Sequence, residues 1–375
     1  MANVVIAGGG FAGVVAAESL ATRLDPEHQI TLVSRSDQFI FYPALVRLAF
    51  GKCELADVSF DLRQALPSRR IRFIKAEIAR VDPHSHHLVL GHGELEGDLS
   101  YDFLLLALGR RLATEQITGY FEFANSVLDV QGALRLRDVL NHFHKGRAVL
   151  GQCPGARLPV PVYETAFALS RHLAERGERD NVGITIVSPD PPGYQFGDAE
   201  VAHALRNALE AHDIEFLPDF SITRVTEKAV VSQNGHGLNY DLLMLLPPFR
   251  GPAPVTGLSI AEKDGYIGVD TGMRVPGFEQ LYAAGDCVNL VGPKLGHMAV
   301  HQAEVAAANI AAEIKGQTPS AFYNHEIMMV IDEGSRESIY LHKGLWDDEP
   351  AKVRQGRFWS WAKRIHEKYW QTVHS

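Results

Sequence analysis

Val4-Val5-Ile6-Ala7-Gly8-Gly9-Gly10-Phe11-Ala12-Gly13-Val14-Val15-Ala16-Ala17 is the stretch that decides the fold. Its first four residues read as a buried strand, the glycines as a tight loop, and Val14 to Leu24 as a helix. Ile30 to Val33 supplies a second strand, so the chain opens with a βαβ unit. Gly8, Gly10 and Gly13 make the spacing G-x-G-x-x-G. The first glycine permits the turn, the second lets backbone approach a pyrophosphate, and the third lets helix and strand pack closely. The helix N-terminus then offers N–H groups and the positive end of its dipole to phosphate. A signal peptide would need a basic start and an unbroken apolar run, and this start has neither.

Outward from that unit, Tyr101 to Ala107 reads as a further strand ending in Gly109. A second α/β block follows. Ala148 to Leu150, Ile184 to Val187 and Leu242 to Leu246 read as strands, and Tyr163 to Arg176 and Val201 to His212 as helices. Gly265 to Asp286 reads as short strands ending in a turn, and Met298 to Lys315 as an alanine-rich helix. The tail from Pro319 differs in character. The expected fold class is α/β, with two Rossmann-like domains and a C-terminal amphipathic appendage. The first domain is split over 1–112 and 266–319, the second covers 113–265, and the appendage covers 320–375.

The 375 residues carry a net charge of −9 and three cysteines. The length fits two or three domains. The acidic balance argues against nucleic acid as a partner. Three cysteines make no disulfide framework, so a reducing, cytoplasmic compartment is expected. No apolar run reaches the roughly 20 residues that span a bilayer, so membrane contact would be peripheral, on the inner face of the plasma membrane.

The second strand of a dinucleotide unit commonly ends in an acid that binds ribose hydroxyls. Here Ser34 and Arg35 stand at that place. Read alone, Arg35 suggests a 2′-phosphate and NADP; the competing reading is a surface arginine. The glycine loop together with Ala107-Leu108-Gly109 resembles the two-dinucleotide-binding-domain flavoproteins, among them type II NADH dehydrogenases and sulfide:quinone oxidoreductases. Several segments are similar to the sulfide:quinone branch, which includes flavocytochrome c sulfide dehydrogenases. These are Tyr163-Glu164, Met244 to Gly251, Gly292 to Met298, and the tail from Phe358-Trp359 to Lys368-Tyr369. In such proteins a segment like Leu281 to Asp286 sets an aspartate on the ribityl chain of FAD, so the resemblance implies FAD. It implies cofactor contacts at Gly8, Gly10, Phe11, Ala12, Gly13, Ser34, Arg35 and Pro43. It implies them also at Ala107, Gly109, Gly285, Asp286, Lys294, Gly296 and His297. Some relatives attach flavin through a cysteine near Tyr42-Pro43; none stands there, so the FAD is expected to be non-covalent.

A relative that uses NADH needs a second glycine loop after Ala148 to Leu150. The chain has Gly151-Gln152-Cys153-Pro154-Gly155-Ala156-Arg157-Leu158-Pro159 there, without the spacing. Pro154, Pro159 and Pro161 lack N–H groups to cradle a phosphate. The second domain is therefore expected to bind no NADH.

The resemblance implies redox cysteines near Leu128, Leu158 and Met329, and histidines near Gly132 and Gln195. None of these positions holds the expected residue. Cys153, five residues before Leu158, is the candidate for a relocated catalytic thiol. Cys287 reads as a buried apolar residue and Cys53 as structural or at the surface. Glu164 is the candidate for proton transfer at the flavin or a quinone. Lys294 is the candidate cation for the negative charge that reduced flavin carries around N1. His297 and His301 share a helix face, but no third metal ligand is apparent, so no metal is expected.

The tail 351–375 holds six Lys or Arg and one acid, Glu367, together with three of the four tryptophans. Phe358, Trp361, Ala362, Ile365 and Tyr369 recur at helical spacing. A basic helix with interfacial aromatics suits an anionic membrane surface; the alternative is a helix packed on the body. The expected function is an FAD-dependent oxidoreductase passing electrons from a small donor (sulfide, polysulfide or other) to a quinone at the membrane. Two other readings stand beside it: NADH:quinone oxidoreduction, and a catalytically altered FAD-binding assembly or sensor subunit. A homo-oligomer is compatible with the sequence.

Overall fold

The computed structural model describes residues 1–334 and 337–374. Its largest sheet has seven strands, in the order Leu281–Ala283, Phe103–Leu106, Asn3–Ala7, Gln29–Ser34, Arg72–Asp82, His87–Gly93 and Gly97–Ser100. The first five run parallel and the last two form an antiparallel extension. Asn3–Ala7 is central, and both its faces are buried: Val4 and Ile6 join one core, Val5 and Ala7 another. A continuous apolar run is what a parallel strand covered on both faces requires.

The helices Phe11–Arg23 and Gly296–Ile314 pack side by side on the Val4/Ile6 face. The first begins at Phe11, three residues before the sequence reading, because the glycine loop runs straight into it. Gly8 has φ +121°, and a Cβ there would lie 2.1 Å from the Ala107 carbonyl oxygen. A Cβ on Gly13 would lie 1.8 Å from the Gly8 carbonyl oxygen, so helix and loop approach as only glycine allows.

The second sheet has four parallel strands, in the order Ile214–Leu217, Val182–Val187, Gly146–Gln152 and Leu242–Leu246. Its helices are Val160–Glu175, with Pro161 in the first turn, and Ala199–Ala211. The chain passes between the two sheets twice, and the passages pair as a short ribbon, Arg111–Leu112 with Phe249–Arg250. Of Gly265 to Asp286, expected as several strands, only Leu281–Ala283 is a strand; the remainder makes isolated bridges.

The tail forms an antiparallel sheet, Glu326–Asp332, Ser338–Gly344 and Lys352–Gln355, followed by the helix Arg357–His374. That helix returns across the molecule to the first βαβ unit. Trp370, 5% exposed, stacks on Phe39 and lies 4.8 Å from the Phe11 ring, centroid to centroid. Among the described residues, no helix is long and apolar enough to cross a membrane.

Candidate functional site

The C-terminal ends of Asn3–Ala7 and Phe103–Leu106 bring Gly8, Ala107 and Gly109 to one edge of the first sheet. Ligands of open parallel sheets gather at such an edge. The helix Phe11–Arg23 starts here without a side-chain cap and without an acid in its first turn, so its leading N–H groups remain available. A Cβ on Gly10 would meet nothing within 4 Å, which leaves open room for phosphate oxygens at that N-terminus. The helix Gly296–Ile314 likewise starts uncapped and without an early acid. A Cβ on Gly296 would come within 3.2 Å of the Tyr42 hydroxyl and 3.6 Å of the Phe11 ring, so the two N-termini address one slot.

Asp286 and Gly285 close this slot. Gly285 has φ +85°, and its N–H donates to the Gln302 side chain. Arg110 forms an ion pair with Asp286 and lies over the Phe249 ring. Three buried polar atoms around the slot have no partner among the described residues: the Tyr42 hydroxyl, Arg110 Nε and the Tyr266 hydroxyl. Buried polar groups are ordinarily paired. Orphaned donors beside two free helix N-termini and an aspartate match a ligand with a pyrophosphate, a polyol and a polar ring edge. FAD has all three. Ser34 is buried with its hydroxyl facing Gly9, whereas Arg35 is exposed.

Lys294 is 5% exposed, and its ammonium lies 4.7 Å from the Tyr266 ring centroid. Burial and the charge of Arg157 push its pKa down to about 7, while Asp286 opposes them. An anion in the slot would hold it charged. His297 is pushed down to about 4, first by burial, and Nε2 meets the Glu326 carbonyl at 3.0 Å. The imidazole is neutral at ordinary pH. Among the described residues, no group of three or more His, Cys, Asp or Glu is arranged to hold a metal.

Beyond the slot lies a mainly apolar cavity of about 330 Å³. Pro43, Gly296 and His297 line it next to the slot, and Leu128, Leu158 and Met329 also line it. The three positions where the resemblance implies cysteines thus converge on one cavity, and all three are apolar here. Cys153 does not join them. It is fully buried in a separate core on the far face of the second sheet, and burial pushes its thiol up. The expectation of a relocated thiol is corrected: the strand end turns Cys153 toward Tyr120 and Val187, away from the cavity. Cys53 and Cys287 are buried as well, and all three cysteines are free. Gln195, at an expected histidine position, hydrogen-bonds Gln152 and the Ala156 carbonyl; it does not line the cavity.

Glu164 lines the cavity and is 6% exposed. Its Oε1 accepts from the Asp332 N–H at 2.9 Å and from Lys363 Nζ. Burial raises the Glu164 carboxyl, and the Lys363 charge opposes the rise. A second cavity of about 310 Å³ lies behind this pair, lined by Arg47, Lys52, Arg171, His172 and Glu175. Pro43, Val46, Glu164, Lys363 and Glu367 line both cavities and form the wall between them.

The sequence reading gave no site role to Tyr42, Arg110, Tyr266, Lys363, Glu367 or Trp370. Arg110 directly follows the Ala107 to Gly109 motif, and Glu367 is the lone acid of a basic tail; both signals were visible. Lys363 is one of the six Lys or Arg of the basic tail, yet its side chain is 17% exposed and paired inward with Glu164. The helix turns its other side outward, with Phe358, Trp361, Ile365 and Tyr369 between 47% and 63% exposed.

A family model described as pyridine nucleotide-disulphide oxidoreductase matches residues 2–303. Sulfide-quinone reductase of Aquifex aeolicus is 24% identical, with 98% of this chain and 90% of that one covered. A type II NADH:quinone oxidoreductase of Staphylococcus saprophyticus is 22% identical, covering 92% and 89%. The crystal structure of sulfide:quinone oxidoreductase from Aquifex aeolicus matches with a TM-score of 0.92 at 24% identity, over 98% of this chain and 90% of that one. A structure of NDH2 from Plasmodium falciparum with NADH matches with a TM-score of 0.76 at 15% identity, over 100% and 95%.

Proposed function

The chain belongs to the pyridine nucleotide-disulphide oxidoreductase family, and from that premise we propose that it is an FAD-dependent oxidoreductase passing electrons from a small donor to a quinone. The observation that carries this reading is the slot between two uncapped helix N-termini, opening into an apolar cavity walled by Glu164, Lys363 and Glu367. Bound FAD supplies a two-electron carrier at the slot. The N–H groups of the helix at Phe11 hold its pyrophosphate, Asp286 takes the ribityl hydroxyls, and Lys294 answers negative charge at the ring. Glu164, raised by burial, exchanges a proton with a quinone oxygen in the cavity. The apolar walls exclude water from that exchange and admit a lipid-soluble ring.

The donor does not react through a thiol relay, because Leu128, Leu158 and Met329 occupy the cavity's three candidate positions. NADH is disfavoured by the proline-bearing loop of the second domain. The same apolar replacements favour a second reading, an FAD-bound assembly or sensor subunit that has lost the donor reaction. An anaerobic screen of sulfide, polysulfide, NADH and quinols against the flavin absorbance separates them. Bleaching by one donor, reversed by a quinone analogue, is the expected result. Bleaching by NADH selects the NADH:quinone reading, and no bleaching by any donor selects the subunit reading.

The exposed apolar stripe of the tail helix supports a membrane surface as the setting of this exchange. Its exposed stripe of Phe358, Trp361, Ile365 and Tyr369 meets the acyl boundary while Arg364 and Lys368 meet anionic headgroups. Trp361→Glu with Ile365→Glu should lower binding to vesicles containing anionic lipid by about 10-fold or more. Unchanged sedimentation with vesicles removes the membrane from the reading.

A further inference from the structure

Glu367 is the single acid of the last 25 residues, yet it is among the most buried side chains of its helix, at 6% exposed. One carboxylate oxygen, Oε2, accepts from Arg47 across 320 residues of chain. The other, Oε1, is buried and has no hydrogen-bond partner among the described residues. Leaving an acceptor desolvated and unpaired is costly, and the cost is larger for a charged group. Nothing in the packing of the tail demands it, because Trp370 and the Glu164–Lys363 pair already fix the helix.

The location of Glu367 gives the unpaired oxygen a use. Glu367 stands in the wall shared by the charged and the apolar cavity. Arg47 anchors Oε2, and the neighbouring Lys363 ammonium is engaged with Glu164, so neither satisfies Oε1. What the oxygen lacks is a donor, and the adjoining cavity is apolar. A ligand that fills it should therefore be a largely apolar ring carrying an O–H group.

We propose that Glu367 Oε1 accepts a hydrogen bond from a hydroxyl of the aromatic ligand in the apolar cavity, so that the site holds the hydroquinone form in preference to the quinone. This inference rests on the quinone reading above and specifies which redox form the site favours. A quinone carbonyl can only accept, and it would face the carboxylate oxygen lone pair to lone pair; a hydroxyl donates. Binding the reduced form more tightly adds driving force to quinone reduction and slows release of the product. The tail thereby supplies a ligand-binding group as well as a surface.

The test is a binding comparison on the oxidised holoenzyme, read by tryptophan fluorescence and calorimetry. The probes are an alkylated methoxyphenol and its fully O-methylated ether, which differ only in the hydroxyl and do not exchange electrons with the flavin. Wild type should bind the hydroxylated probe about 10- to 100-fold more tightly, the range of a hydrogen bond to a charged acceptor. Glu367→Leu should bind the two equally. Glu367→Gln keeps the shape and a weaker, neutral acceptor, and should retain only part of the preference; it carries the test if the leucine variant does not fold. Equal binding of both probes by wild type overturns the inference and leaves the quinone reading standing. A preference unchanged in Glu367→Gln and Glu367→Leu also overturns it. Binding of neither probe overturns the quinone reading itself.

Discussion

The two α/β units place a loop at the same point, after the first strand and before the helix that follows, and treat it in opposite ways. In the first, Gly8 to Gly13 leave the leading N–H groups of the helix at Phe11 free, with open space in front of Gly10. In the second, the loop turns its polar groups back into the protein. The Cys153 N–H donates to the Leu246 carbonyl, the Ala156 N–H to Cys153, and the Val162 N–H to Pro159. The Arg157 guanidinium is spent on the Leu290 and Gly292 carbonyls, which brace the loop that carries Lys294. The difference teaches that one topology can serve as a ligand cradle or as a buttress, and that the fate of a few N–H groups decides which.

The largest effect should come from closing the first cradle. Gly13→Val sets side-chain carbon where the Gly8 carbonyl already stands, costing more than about 4 kcal/mol unless the loop moves. The purified protein should lack flavin absorbance; retention of a full complement breaks the comparison. Next is Trp370→Ala. It removes a ring packed on Phe11, Phe39 and Phe41 and should cost about 3–5 kcal/mol in denaturant unfolding. A loss below about 1 kcal/mol would show that the tail is not anchored to the cradle. Lys294→Met sharpens the contrast electrically. Without that cation the reduced flavin is less favoured, and the midpoint potential should fall by about 30–60 mV in spectroelectrochemical titration. Smallest of all is a change in the second loop. Cys153→Ala leaves only a small void in an apolar core and should cost about 1 kcal/mol, with flavin content and donor response unaltered. If that substitution abolishes flavin reduction, the buttress is a reacting site after all.

The first βαβ unit was legible because its requirements are local. Glycine spacing, a β-branched run and a helix start lie within a few residues of one another. The strand Phe103–Leu106 was legible as an apolar run ending in Gly109, but its pairing with Asn3–Ala7 was not. The site beyond the flavin slot was not legible in the same way. Glu164 meets Lys363 across 199 positions of sequence and Arg47 meets Glu367 across 320, and no period announces such a meeting. The tail was legible on one side only. Its apolar spacing marked a helix face that is exposed, as a membrane-facing stripe requires, but nothing in the spacing marked the opposite face, where Ser360, Lys363, Glu367 and Trp370 turn inward. A helix with two usable faces gives a pattern that does not say which is inside. Cys153 misled because closeness along the chain to Leu158 says nothing about which side of a strand end a side chain takes.

The strand Leu281–Ala283 sits at the edge of the sheet whose centre is Asn3–Ala7, and the helix Gly296–Ile314 lies beside Phe11–Arg23. During synthesis, therefore, the cradle stands half-built while the whole second unit is made and folds. Closing so long an excursion adds little to the equilibrium cost, since loop entropy grows only logarithmically with length. It bears instead on timing, because contacts between distant parts of a chain form slowly. The slot has all its walls only once residue 314 has been made, and Trp370, which packs on Phe11, follows later still in the chain. A ribosome stalled before Gly285 would hold a nascent chain with its phosphate loop complete and nothing to close over the ring.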